Sequence, residues 1–280
     1  MDQNMDPRQY YDDFGENEWK RLEENPVAQL EYENTIDILE QHLPIEGKIL
    51  DAGGGPGRYS IWLADHGFDV EHIDFSAKQV AIARDKVREY ELSDHITCQQ
   101  GDIREIPFAE NTFDAVCCLG GPISHIMDPD EREQAIGELR RVAKPEGVIF
   151  VSVIGRLASV LHGIRHGLQK HPEIIPEIAA HGDYTAELME NVEGEGWAEC
   201  HFFRVGEFEE LLTSTRLTIT QIIGLEGLAS GMQPELNEAP EEAIDYVTDV
   251  VKMLQEDRSV ADFSEHILAV CEVENDETNY

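Results

Sequence analysis

The sequence predicts an α/β fold on a mostly parallel sheet, and three observations carry that prediction. Short apolar runs alternate with helical patterns between residues 48 and 154, the pattern of successive βα units. Residues 113–119 are nearly all apolar, as a strand covered on both faces requires. A glycine-rich turn at residues 51–57 joins a strand to a helix.

Taken in order, residues 1–44 read as an amphipathic helical segment. Trp19, Leu22, Val27, Leu30, Ile36, Ile38, Leu39 and Leu43 are spaced among acids, with a break at Pro26. Residues 48–52 form a first strand and 58–66 a helix stopped by Gly67. A second strand is expected over 68–74, a helix over 77–90, a third strand over 95–100 and a fourth over 113–119. A helix over 129–143 precedes a fifth buried strand at 148–154. The pattern then loosens. Residues 157–169 read as helical, whereas 170–200, rich in Pro, Gly, Glu and His, read as irregular, so that about 157–205 forms an insertion. A short helix (206–215), a strand (217–225), an acidic helix (240–254) and a last strand (266–273) complete seven strands. The expected organisation is a helical segment, 1–44, covering a domain of residues 45–280.

Charge narrows the function classes. The 280 residues hold 21 Lys+Arg against 58 Asp+Glu, a net charge of −37. The excess runs along the chain: net −15 over residues 1–170 and −22 over 171–280, where only Arg204, Arg216, Lys252 and Arg258 are basic. Only seven of the bases are lysines. A folded chain of this kind resembles proteins of salt-accumulating halophiles, an archaeal one in this reading, where the Debye length falls to about 3 Å near 1 M salt. Broad binding to a phosphate backbone needs clustered bases, so no nucleic-acid partner is expected. No apolar run reaches the ~20 residues of a membrane helix, so no membrane partner is expected either. The polar Met1-Asp2-Gln3-Asn4 start and five cysteines without a regular framework point to a reduced, cytoplasmic setting.

The densest chemistry is Asp51-Ala52-Gly53-Gly54-Gly55-Pro56-Gly57-Arg58. Its glycines allow a sharp turn and close approach of a ligand to the backbone. The dinucleotide pattern Gly-x-Gly-x-x-Gly fails at Arg58, which weakens a nicotinamide-dependent reductase, and no Gly-Lys-Ser/Thr follows. Pro56 also removes one N–H that a pyrophosphate would use. Asp74 closes the second strand, where an acid can take both hydroxyls of a ribose. Gly101-Asp102-Ile103 follows the third strand, where an acid can accept from an adenine amino group beside an apolar wall. The three loops open onto one sheet edge and outline an adenosine-shaped site.

In these motifs, and in Phe113-Asp114-Ala115-Val116, residues 45–155 resemble class I S-adenosylmethionine-dependent methyltransferases of the type 11/25 group, in its small-molecule branch. The resemblance implies a Rossmann-like seven-stranded sheet with an antiparallel last strand and S-adenosyl-L-methionine as cofactor. It places Gly53, Gly55 and Gly57 along the methionine and ribose, with Asp51 orienting the loop or an ordered water. It places Asp74 on the ribose, Phe75 beside the adenine, Asp102 and Ile103 at the adenine edge, and Leu119 and Gly120 by the amino-acid end and the methyl group.

The acceptor is less legible. Methyl transfer from a sulfonium needs alignment and sometimes removal of a proton. Residues 118–125 lack the Asn/Asp-Pro-Pro-aromatic stretch of base amino methyltransferases, and Cys98, Cys117 and Cys118 lie in predicted strands. The expected partner is a small-molecule acceptor. His125, after Gly120-Gly121-Pro122, is a candidate base or hydrogen-bond donor, or else a structural histidine; His201 is a second candidate. Trp19, Arg156 and Phe203 are candidates for acceptor contacts, each with simple packing or surface pairing as the alternative. His162, His166, His171 and His181 lack a partner set for a metal, and none is expected. A methyltransferase-like binding module without turnover is the competing function.

Overall fold

The computed structural model describes residues 6–167, 172–189 and 197–273. Three helices open the chain: α1 (Pro7–Phe14), α2 (Asn17–Arg21) and α3 (Pro26–His42). Pro26 begins α3 at a position whose N–H has no helical partner, and Asn25 caps it by accepting from Val27 and Ala28 N–H. Then follow β1 (Lys48–Ala52), α4 (Arg58–Asp65), β2 (Asp69–Asp74), α5 (Ala77–Glu89), β3 (Ile96–Gln100), β4 (Phe113–Cys118), α6 (Pro129–Val142) and β5 (Ala143–Ile154). Each agrees with its sequence reading to within two residues except β5, whose first half pairs only at Ala143 with Phe113 before the ladder resumes at Val148. That irregular stretch carries too few apolar residues to announce a strand.

Seven strands form one sheet in the order β3-β2-β1-β4-β5-β9-β8. The β8 strand is Leu217–Gly224, and β9, His266–Val273, runs antiparallel to both its neighbours. The chain builds outward from β1 to β3 and then returns to place β4 on the other side of β1. Their carboxyl ends diverge there and leave a crevice. Alternate residues feed two cores. Leu50, Ala52, Val116, Cys118, Val151 and Ala269 face one side, and Ile49, Ala115, Cys117, Phe150 and Leu268 the other.

The insertion begins with α7 (Arg156–Gly167), where a helix is expected, but the expectation of irregular chain over 170–200 is corrected by α8 (Ile174–His181) and a short antiparallel ladder of β6 (Asp183–Tyr184) on β7 (Cys200–His201). Pro176 disguised α8, yet it falls in the first turn, where its missing N–H costs nothing. After α9 (Val205–Ser214) and β8 come α10 (Gln233–Asn237), α11 (Glu241–Leu254) and α12 (Arg258–Ala261). No helix among the described residues is long and apolar enough to cross a membrane.

Candidate functional site

A cavity of about 520 Å³ lies over the β1/β4 crevice. Its floor is the turn after β1. Gly53 has φ +74°, and Gly53 and Gly54 donate to the Ile73 carbonyl at 2.8 and 3.2 Å, which ties the turn to β2. Gly54 admits no side chain: a Cβ there would sit 2.5 Å from Asp51 Oδ2 and 2.7 Å from His72 Nδ1. Asp51 is wholly buried under the turn and accepts from Ser60 Oγ at 2.5 Å, so it braces the loop and does not line the cavity. Gly57, at φ +87°, begins α4 against Ala83 and is likewise outside the lining.

Asp74, Phe75, Asp102, Ile103, Leu119 and Gly120 all line the cavity with Gly53 and Gly55. Asp74 accepts from Gly55 N–H at 2.9 Å and Ser76 N–H at 2.8 Å. Burial outweighs these bonds and pushes its carboxyl up to about 6. Asp102 is engaged by Arg104, which donates from Nε to Oδ1 at 3.0 Å and from Nη2 to Oδ2 at 2.6 Å. Burial alone would raise its carboxyl; the Arg104 bonds bring it below the ordinary carboxylate range.

The N-terminal helices form the roof. Asp6, Pro7, Arg8, Tyr11, Glu18, Arg21 and Leu22 reach the cavity. Helix α1 is held to α5 through Gln79, whose amide donates to the carbonyls of Tyr11 and Gly15, and through Ser76 donating to Asp12. Tyr11 meets His125, which sits on the turn after β4. His125 Nδ1–H donates to the Glu199 carbonyl at 2.9 Å, which leaves Nε2 to accept from the Tyr11 hydroxyl at 2.9 Å. Burial holds this imidazole neutral, with its pKa pushed down to about 4.

The remaining candidates lie elsewhere. Trp19 is packed outside, with the Arg58 guanidinium and the Lys86 ammonium each 4.9 Å from its ring. Arg156 is buried against the Glu207 carboxylate at 2.6 Å and the Phe202 and His181 carbonyls. His201 bonds Asp183 at 2.6 Å within the short ladder, and Phe203 belongs to the core beside Phe208. The His162 and His166 rings lie 4.5 Å apart, tilted to each other, and His171 lies outside the described residues.

Sequence reading missed the ionic half of the site. Arg21 donates to Glu18 and, through both Nη atoms, to Glu31, which also faces His266. Ligand atoms of Glu31, Glu226 and His266 lie within 4.8 Å of one another, but Arg21 and the His266 proton already fill the space between the carboxylates. Burial disfavours charge on His266; the two carboxylates overcome it and raise its pKa to about 9. The signal available was the rarity of bases. The lining holds four arginines (8, 21, 58, 104) and four acids (6, 18, 74, 102), so the cavity is charge-balanced within a chain of net −37.

These residues fit a nucleoside carrying a charged tail: two loop acids for ribose and base, an apolar wall, and paired charges at the far end. Residues 49–147 match a family described as a methyltransferase domain. A Bacillus subtilis protein named as a methyltransferase, YqeM, is 34% identical over 122 residues, 44% of this chain and 48% of that protein. The ubiquinone biosynthesis O-methyltransferase of Coxiella burnetii is 28% identical over 163 residues, 55% of this chain and 65% of that protein. The chain thus spans about half to two thirds of the length of these relatives. A solved Haloferax volcanii protein described as a methyltransferase, in complex with the Trm112 methyltransferase activator, superposes with a TM-score of 0.61 at 18% identity. The superposition covers 98% of this chain and 100% of that one, and at that identity it shows the fold alone. Residues 49–147 are thus similar to a methyltransferase domain, and the solved structures share the fold.

Proposed function

We propose that this chain transfers a methyl group from S-adenosyl-L-methionine to a small molecule. The observation that carries the reading is the buried Asp74, bonded to the glycine turn and facing a cavity walled by Phe75, Ile103 and Leu119. When bound, the cofactor would supply an electrophilic methyl on a sulfonium. The glycine turn, Asp74 and the Asp102–Ile103 loop would hold the nucleoside, with Leu119–Gly120 toward the methyl group. Helices α1 and α2 roof the cavity. At the acceptor side the Tyr11 hydroxyl faces the cavity with its proton directed to His125 Nε2. The Tyr11 hydroxyl and the His125 ring would position an acceptor hydroxyl or amine by hydrogen bonding, and the acceptor's proton would leave to solvent, since burial keeps the imidazole too weak a base to hold it.

The acid excess of residues 171–280, which repels nucleic acid, supports a small acceptor. We assign that excess to life in high salt. The test is calorimetry with S-adenosyl-L-homocysteine in molar KCl, followed by a labelled-methyl screen of metabolite extracts. Loss of binding in Asp74→Ala and label in a small molecule are expected. Undiminished binding in the variant would remove the ribose assignment, and tight binding without transfer would favour a non-catalytic module.

A further inference from the structure

The hydrogen bonds around His125 run in one direction only. Their far end is the Glu199 carbonyl, which can only accept, so His125 Nδ1 carries the proton of the 2.9 Å bond between them. Burial keeps the ring neutral. Nε2 is then bare, and the proton of the Tyr11 hydroxyl, 2.9 Å away, is committed to it. Burial also holds the Tyr11 phenol well above its usual pKa, so that proton stays in place. The rings of Tyr11 and Trp197 stand edge to face with the imidazole at 5.4 and 5.8 Å and hold its plane. Among the described residues the Tyr11 oxygen has no other hydrogen bond, and Tyr11 and His125 both line the cavity. What the phenol presents there is a lone pair without a proton.

We propose that Tyr11 selects the methyl acceptor by hydrogen-bond polarity: its oxygen accepts from the hydroxyl or N–H that is to be methylated, and disfavours carbon acceptors, tertiary amines and methyl ethers, which carry no hydrogen on the reacting heteroatom. The selection rests on the methyl-transfer reading above and narrows the acceptor to a hydroxyl compound or an amine that keeps an N–H. His125 acts through Tyr11, as a positioning residue that sets where the phenol proton points. Transfer joins the methyl carbon to the acceptor heteroatom, leaves the carbon–sulfur pair on sulfur and releases the heteroatom's proton to solvent. The product of a hydroxyl acceptor then meets the Tyr11 oxygen lone pair against lone pair. The polarity that holds the substrate therefore expels the product.

The experiment has two steps, both on the full chain in molar KCl. S-adenosyl-L-methionine with an isotopically labelled methyl carbon is incubated with a metabolite extract, and the carbon shift of the product methyl tells attachment to oxygen, nitrogen and carbon apart. Oxygen, or the nitrogen of a former N–H, is expected. Calorimetry on the protein loaded with S-adenosyl-L-homocysteine then compares that acceptor with its methyl ether or, for an amine, with its tertiary form. The acceptor binds roughly tenfold tighter than the methylated form. Tyr11→Phe brings the two within about threefold by weakening the acceptor. His125→Leu does so by tightening the methylated form, because the freed hydroxyl can turn its proton into the cavity. A merely structural role would move both ligands together. Helix α1 has no buried residue, so Tyr11→Phe leaves the fold intact, and S-adenosyl-L-homocysteine binding checks both variants. A carbon-bound methyl, or a binding ratio unchanged in Tyr11→Phe, overturns the selection and leaves methyl transfer standing. Binding of S-adenosyl-L-homocysteine with no label transferred overturns both.

Discussion

Asp74 is held in the folded chain at a cost that its ligand should repay. Its carboxyl is raised from 3.8 to about 6 because it is buried. A raised folded-state pKa favours folding below the unfolded value and loses that contribution as pH climbs through the folded one. Above pH 6 the ionised group therefore disfavours the ligand-free fold by about 3 kcal/mol, two units at about 1.36 kcal/mol each. Asp74→Asn removes the charge, but its single carbonyl satisfies only one of the Gly55 and Ser76 donors, which returns about 1–2 kcal/mol. The expected net gain is about 1–2 kcal/mol, a rise in melting temperature of a few degrees at pH 7.5. S-adenosyl-L-homocysteine affinity should fall about 100-fold, since the ribose loses a charged acceptor for its two hydroxyls. Thermal melts of both proteins between pH 4 and 8 in molar KCl read the first effect, and calorimetry the second. The melting difference should grow from pH 4 to about 6 and then level. A variant that is no more stable at pH 7.5 than at pH 4.5 relative to the parent, or that binds normally, refutes the reasoning.

Other outcomes follow from particular contacts. Tyr11→Phe keeps the ring edge against His125 and removes the positioning hydroxyl, so turnover should drop about tenfold with S-adenosyl-L-homocysteine affinity unchanged; full turnover would eliminate that positioning role. Gly54→Ala drives a methyl into the buried Asp51 and His72 and should cost about 1–3 kcal/mol in denaturant melts. His266, raised from 6.5 to about 9 by its carboxylates, stabilises the fold fully below pH 6.5 and loses that contribution as pH rises through 9. Chemical denaturation at pH 6 and 10 should differ by up to about 3 kcal/mol, and His266→Gln should remove that dependence.

The convergence of the glycine turn, Asp74 and Asp102 on one cavity was legible because each piece is local. A turn that needs left-handed glycines, an acid at a strand end and an acid in the next βα loop are each written in consecutive residues. The fold order prescribed by βα alternation then brings them together. Arg21 and Glu18 were not legible, for the same reason in reverse. They stand over Gly120 and Gly55, which lie far away in sequence, and on their own short helix they read as a surface i,i+3 pair. Trp19 misled because its apolar bulk was visible while its two flanking cations, Arg58 and Lys86, were distant. Arg156 misled because a base at a strand end suggests a ligand, yet its hydrogen bonds go to Glu207 and two carbonyls. The insertion hid α8 behind Pro176, since composition alone does not say where in a helix a proline falls.

The net charge and the balanced cavity together separate two responses to salt. On the surface, like charges lie many ångströms apart in water, and about 1 M salt shortens the Debye length to about 3 Å, which removes most of their repulsion. Melting temperature should therefore rise with KCl. In the cavity the Arg21–Glu31 contacts are 2.5–3.0 Å long and Glu31 is 2% exposed, so no ion shell fits between the partners. Those pairs, and a ligand inserted among them, should feel salt far less. All four cavity bases are arginines, whose forks keep two-point contact with carboxylates without relying on long-range attraction. The affinity for S-adenosyl-L-homocysteine should accordingly change by less than about threefold between 1 and 3 M KCl while the melting temperature climbs. If affinity instead collapsed across that range, the ionic end of the site would be open to solvent.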